Sequence, residues 1–208
     1  MLKINFLGDS ITEGALASSV ENTYVEQVGK MLNAEVRNYG IGGTRFAKQI
    51  KPSKYPRMDE YFASRVDDMK NDANYVIVFG GTNDYGHGDA PIGETEDNTP
   101  DTYLGSINYL IEKLLRYYKK EQIIFILPLH RLDEDNPYGE GNKEKPSLVL
   151  DGYVSLLQQL LDKHNIKYFD FREDFGQAKN NPLLGDAVHP NDMGHRKIAE
   201  LISQQFNK

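Results

Sequence analysis

Tyr75-Val76-Ile77-Val78-Phe79, followed at once by Gly80-Gly81-Thr82-Asn83-Asp84, decides the fold class. Its apolar residues are continuous rather than alternating. A strand with one wet face alternates, whereas a continuous run is buried on both faces, as in a parallel sheet covered by helices. Ile123-Ile124-Phe125-Ile126-Leu127 repeats the pattern, and Lys3–Leu7, Glu35–Asn38 and Lys167–Phe171 are further short runs. Between the runs, apolar residues recur at three- and four-residue spacing. One set is Tyr24, Val28, Met31 and Leu32; a second is Met58, Phe62, Val66 and Met69. A third runs from Tyr103 to Leu115, a fourth from Leu148 to Leu161, and Ile198, Leu201, Ile202 and Phe206 close the chain. Strand and helix in alternation predict an α/β protein with a doubly wound parallel sheet and right-handed crossovers.

The chain has 208 residues. At about 150 residues per domain this predicts one domain or two. No linker divides the chain, so a single domain over 1–208 is expected. There is no cysteine, which excludes disulfides, thiolate metal sites and a cysteine nucleophile. The formal charge is −7, and Lys119-Lys120 is an isolated basic pair, so no nucleic-acid partner is expected. No stretch approaches the roughly 18 apolar residues of a membrane span. Leu2–Leu7 reads as a strand rather than the apolar core of a leader, so a cytoplasmic protein is expected. A secreted protein that had lost its leader would read the same. Nothing in the pattern specifies an oligomeric state.

Four short motifs lie where the chain leaves strands. Gly8-Asp9-Ser10-Ile11-Thr12-Glu13-Gly14 puts Ser10 where the first strand meets a helix. There a hydroxyl is exposed at the sheet edge, and its backbone N–H can meet a developing oxyanion. Ser10-Ile11-Thr12-Glu13 equally fits a capping box with Ser10 as cap. A phosphate-binding turn is the third reading, but the Gly-x-Gly-x-x-Gly pattern and the P-loop lysine are absent. Asp186-Ala187-Val188-His189-Pro190 offers a carboxylate three residues before a histidine, able to fix its tautomer. Pro190 keeps His189 out of a helix, and Asn191 or Asp192 caps the last one. Gly80–Asp84 offers the Asn83 amide, and Asn38-Tyr39-Gly40-Ile41-Gly42-Gly43 offers backbone N–H groups. Each alone also reads as an ordinary turn. Together they bring a serine, an Asp–His pair and oxyanion donors to one edge of a parallel sheet.

Taken in order, these blocks resemble the SGNH hydrolases, also called the GDSL esterase/lipase family. Gly8-Asp9-Ser10-Ile11-Thr12 is similar to its first block, with Ile11 where the name-giving motif has leucine. Asn38–Gly43, Gly81–Asp84 and Asp186–Pro190 are similar to the other three. The resemblance implies a three-layer, flavodoxin-like αβα fold with about five strands. It implies Ser10, His189 and Asp186 as the catalytic triad, and Ser10, Gly43 and Asn83 as the oxyanion hole. Gly40 and Gly42 remain alternatives to Gly43. No cofactor is implied. His87 and His130 lack the spacing or clustered carboxylates of a metal site.

The segments Tyr85–Asp101 and Arg131–Pro146 are rich in Gly, Pro and acidic residues. Either they wall or cap a site at the strand ends, or they are solvated loops. Asp9, His130 and Arg131 are candidate substrate contacts. The polar loops and the lack of an amphipathic lid suggest a short acyl ester, such as an acetyl ester of a carbohydrate or other small hydroxylated molecule. A lysophospholipase or thioesterase of the same family is an alternative. Two readings come from other classes, a non-catalytic carbohydrate-binding protein on this fold and a nucleotide or flavin binder.

Overall fold

The computed structural model describes residues 1–141 and 143–206. Asn142, within the 131–146 segment, and residues 207–208, at the end of the expected domain, lie outside the described residues. Five strands form one parallel sheet in the order β2-β1-β3-β4-β5. They are β1 (Lys3–Gly8), β2 (Glu35–Gly40), β3 (Tyr75–Phe79), β4 (Ile123–Ile126) and β5 (Lys167–Phe169). The helices are α1 (Ser10–Glu13), α2 (Tyr24–Leu32), α3 (Thr82–Gly86), α4 (Tyr103–Leu115), α5 (Leu150–His164), α6 (Arg172–Phe175) and α7 (Asp192–Phe206). Among the described residues, no helix is long and apolar enough to cross a membrane.

The continuous strands serve two cores at once. Val76, Val78, Ile123 and Phe125 pack in the cluster that contains α4 and α5 side chains. Ile77, Phe79, Ile124 and Ile126 pack in the cluster that contains those of α2 and α7. Burying one such side chain contributes about 1.5–3 kcal/mol, so both helical layers are held by the central strands. The result is the expected three-layer αβα architecture.

One expected helix is not an α-helix. Met58–Met69 forms two 3₁₀ segments, Pro56–Asp59 and Phe62–Asp68, with Glu60 and Tyr61 extended between them. Phe62 and Val66 are buried as their spacing predicts. However, the Phe62 amide donates to the Arg45 carbonyl (3.0 Å), outside any helix. The buried Arg65 guanidinium reaches the carbonyls of Tyr39 (2.6 Å) and Gly8 (3.2 Å) and the Thr44 hydroxyl (3.1 Å). These tertiary bonds override the local periodicity.

Strand order reverses between β1 and β3, and open α/β sheets form a crevice beyond the carboxyl ends of the strands at such a point. Ser10 follows β1 and Asn83 follows β3, so both flank that crevice. Parts of the two loop segments line a separate cleft that contains neither Ser10 nor Asn83. With Gln49–Lys51, residues His87–Pro91 and Lys143–Ser147 enclose about 840 Å³.

Candidate active site

Asp9, not Ser10, caps α1. Its carboxylate accepts the Ile11 amide (3.0 Å). Ser10 is the first helical residue, and its hydroxyl is released to donate to His189 Nε2 at 2.9 Å. Glu13 does not close a capping box either. It reaches across to accept the Gly42 amide (2.8 Å) and pairs with Arg57 (2.8 Å).

His189 sits in a turn built by Asp186. One carboxylate oxygen accepts the amides of Val188 (2.8 Å) and His189 (2.6 Å), and the other accepts His189 Nδ1–H (2.8 Å). Because a carboxylate has no proton to give, Nδ1 carries the hydrogen and Nε2 is left as the acceptor facing Ser10. Burial pushes the Asp186 carboxyl up, but the bonds from His189 and Val188 outweigh it and hold the group below its ordinary value. Asn191 caps α7 through the Met193 (3.0 Å) and Gly194 (3.1 Å) amides. Asp192 turns instead to Ser18, accepting its amide (2.7 Å) and hydroxyl (2.6 Å).

The glycine turn lies against Ser10, since a Cβ on Gly42 would fall 3.6 Å from Ser10 Cβ. The Gly40 amide is spent on Asn38 Oδ1 (2.8 Å) and the Gly42 amide on Glu13. The Gly43 N–H has no acceptor among the described residues, which distinguishes it from its neighbours as a donor. Gly43 adopts φ +75°, and a Cβ there would fall 2.3 Å from Met58 Cε. Asn83 Nδ2 donates one hydrogen to the Thr44 carbonyl (2.9 Å), leaving the second available.

Three expected substrate contacts are placed elsewhere. Asp9 is 1% exposed. His130 is held by Glu134 (2.9 Å) and Gln177 (3.1 Å). Arg131 is buried, pairing with Glu140 (2.6 Å) and donating to Thr82 (3.2 Å). With Asp9, Ile11 and Val188, the chain neighbours of Ser10 and His189, it lines a small recess. These polar groups support the site's frame rather than its surface.

Sequence reading missed Arg65 and Arg45. Arg65 ties the ends of β1 and β2 to the glycine turn. Arg45, 3% exposed, donates to the Gly43 carbonyl (3.0 Å) and to His87 Nδ1 (3.0 Å). An arginine in a loop or on an amphipathic stretch ordinarily reads as solvated, so neither carries a signal in the sequence. Among the described residues no three His, Asp or Glu side chains gather closely enough to hold a metal ion.

Burial drives the Asp9 carboxyl from 3.8 to about 7, against the Ile11 hydrogen bond and the pull of His189 and Arg65. Folded Asp9 therefore keeps its proton where the unfolded chain has lost it. Folding stability contributed by this group falls as pH rises from 3.8 toward about 7, then levels off. Asp9→Asn keeps an oxygen for the Ile11 amide and removes the charge. Thermal melts from pH 5 to 8 are expected to show a higher Tm for the variant at pH 8, with a shallower pH slope. A profile with the parent's slope would mean that folding does not raise the Asp9 carboxyl.

The model of the GDSL-like lipase/acylhydrolase family matches residues 6–197. The chain belongs to that family. No curated protein matches it. Solved structures of GDSL-type and related proteins share the fold along its whole length. A Lactobacillus plantarum protein is 24% identical with a TM-score of 0.81, the alignment covering 99% of this chain and 96% of that one. A member of the lipolytic G-D-S-L family from Veillonella parvula is 21% identical with a TM-score of 0.66, each chain covered completely. A carbohydrate acetylesterase from Sinorhizobium meliloti is 14% identical with a TM-score of 0.70, covering 100% of this chain and 99% of that one. At these identities the likeness shows the GDSL fold, and the chemistry must come from the site.

Proposed function

We propose that this GDSL-family chain is a serine esterase acting through an acyl-enzyme on Ser10. The observation that carries the reading is the relay Ser10 Oγ, His189 Nε2, His189 Nδ1, Asp186 Oδ2, with links of 2.9 and 2.8 Å. His189 takes the hydroxyl proton as Ser10 attacks the ester carbonyl, and Asp186 stabilises the imidazolium. The N–H groups of Ser10, Gly43 and Asn83 receive the oxyanion. The alcohol leaves with the proton from His189. Water then attacks the acyl-enzyme, giving its proton to His189, and release of the carboxylic acid restores Ser10.

The substrate we favour is a small hydroxylated molecule bearing a short acyl group, such as an acetylated carbohydrate. The structural neighbour described as a carbohydrate acetylesterase supports it. No cofactor, nucleic acid or membrane enters this reading, and the cytoplasm is its proposed location.

The test is intact mass after treatment with a fluorophosphonate, with Ser10→Ala alongside. One stoichiometric adduct on the parent, mapped to Ser10 and absent from the variant, is expected. A folded parent that takes up no adduct would sink the esterase reading and leave a binding role.

A further inference from the structure

Leu16 holds a left-handed backbone, φ +62°, and its side chain is 49% exposed. Both are unfavourable for leucine, and such strain persists only where the surroundings over-determine it. They do so here on both sides. The Ala15 amide donates to the Ser10 carbonyl (2.9 Å), and buried His195 Nε2 donates to the Ala15 carbonyl (3.0 Å). Two residues on, Ser18 is bound to Asp192. So held, the leucine lies across Gly185, where a Cβ would fall 2.8 Å from Leu16 Cδ1. Gly185 immediately precedes Asp186, and its amide donates to the His189 carbonyl (2.9 Å). Leu16 thus rests on the turn that carries both Asp186 and His189. Leu16, half-exposed, is therefore an apolar side chain seated on the His189 turn.

The His189 side of the site has a chemical meaning. In acyl transfer the oxyanion turns toward the N–H donors, and the leaving oxygen turns toward the histidine that protonates it. Groups flanking His189 meet the alcohol rather than the acyl chain. We propose that Leu16 is a specificity residue for the alcohol moiety, and that the alcohol presents an apolar face to it, an alkyl chain or the C–H face of a ring. The inference rests on the esterase reading.

Straight-chain esters separate the two sides without changing leaving-group acidity. One series keeps the acetyl group and lengthens the alcohol from ethyl to butyl to hexyl. The other keeps ethanol and lengthens the acyl group from acetate to butyrate to hexanoate. Leu16→Asn and Leu16→Gly remove the apolar side chain and accept the left-handed backbone readily. Both are expected to melt at or above the parent's temperature. Both are expected to lose about 5–20-fold in kcat/KM for hexyl acetate relative to ethyl acetate, within the range set by apolar contacts in specificity pockets. The acyl-chain preference should not move. Equal losses on every ester with a lowered Tm would make Leu16 a prop for the His189 turn and overturn the proposal. So would a loss confined to the acyl series, or an unchanged alcohol preference. If the parent takes up fluorophosphonate on Ser10 in any of those cases, only the Leu16 inference falls. A parent inert to the probe and to every ester would remove both.

Discussion

Replacing His189 with alanine is expected to lower kcat by roughly a million-fold, the scale on which removing the base of a serine triad acts. The expectation rests on how little else the imidazole does. Its ring bonds are to Ser10 Oγ and Asp186 Oδ2. Its backbone carbonyl still accepts the Gly185 amide in the variant. Truncation leaves no buried donor unsatisfied, because both partners are near solvent. The stability change should therefore stay within about 0.5 kcal/mol, as for surface substitutions. Steady-state kinetics on a short-chain acetate, paired with thermal melts, reads both quantities. An enzyme retaining a tenth of its turnover with the histidine gone would require another base.

Asn83→Ala separates a chemical cost from a structural one. Loss of a side-chain oxyanion donor costs about 10²–10³ in kcat. The Asn83 amide also satisfies the Thr44 carbonyl in a buried setting, and stranding such an acceptor costs about 1–3 kcal/mol of stability. Both signs should appear together, lower kcat with KM less affected, and a lower Tm. A destabilised enzyme turning over at the parental rate would restrict Asn83 to holding the Gly43–Thr44 turn.

What could be read in advance follows from how locally each feature is encoded. The central strands were legible because Tyr75–Phe79 and Ile123–Ile126 satisfy both sheet faces within five residues. Met58–Met69 was misread because its apolar spacing is helical, while its backbone answers to Arg45 and its side-chain bonds run to Gly8 and Tyr39. Residue type pointed to Ser10, His189, Asp186 and Asn83, whose positions then came from strand ends. The choice among three glycines could not be made locally. It turns on which amides Asn38 and Glu13 consume, a matter of contacts 2 and 29 residues apart. For His130 and Arg131 the sequence leaves two roles open. A polar residue after a strand can line a pocket or brace it, and the distinction lies in Glu134 and Glu140, whose partners only the folded chain reveals.

The bond between Ser10 and His189 spans 179 positions of the chain. At ribosomal speeds of about 5–20 residues per second, the serine is made roughly ten to forty seconds before the histidine. Through that interval the Ser10 hydroxyl lacks its imidazole partner. The loop that follows Ser10 also waits for α7, because His195 is what holds the Ala15 carbonyl. On the proposed mechanism a nascent or partly folded chain is chemically silent, and hydrolytic competence arrives only when the His189 turn and α7 dock. Turnover by that mechanism would double as a readout of completed folding.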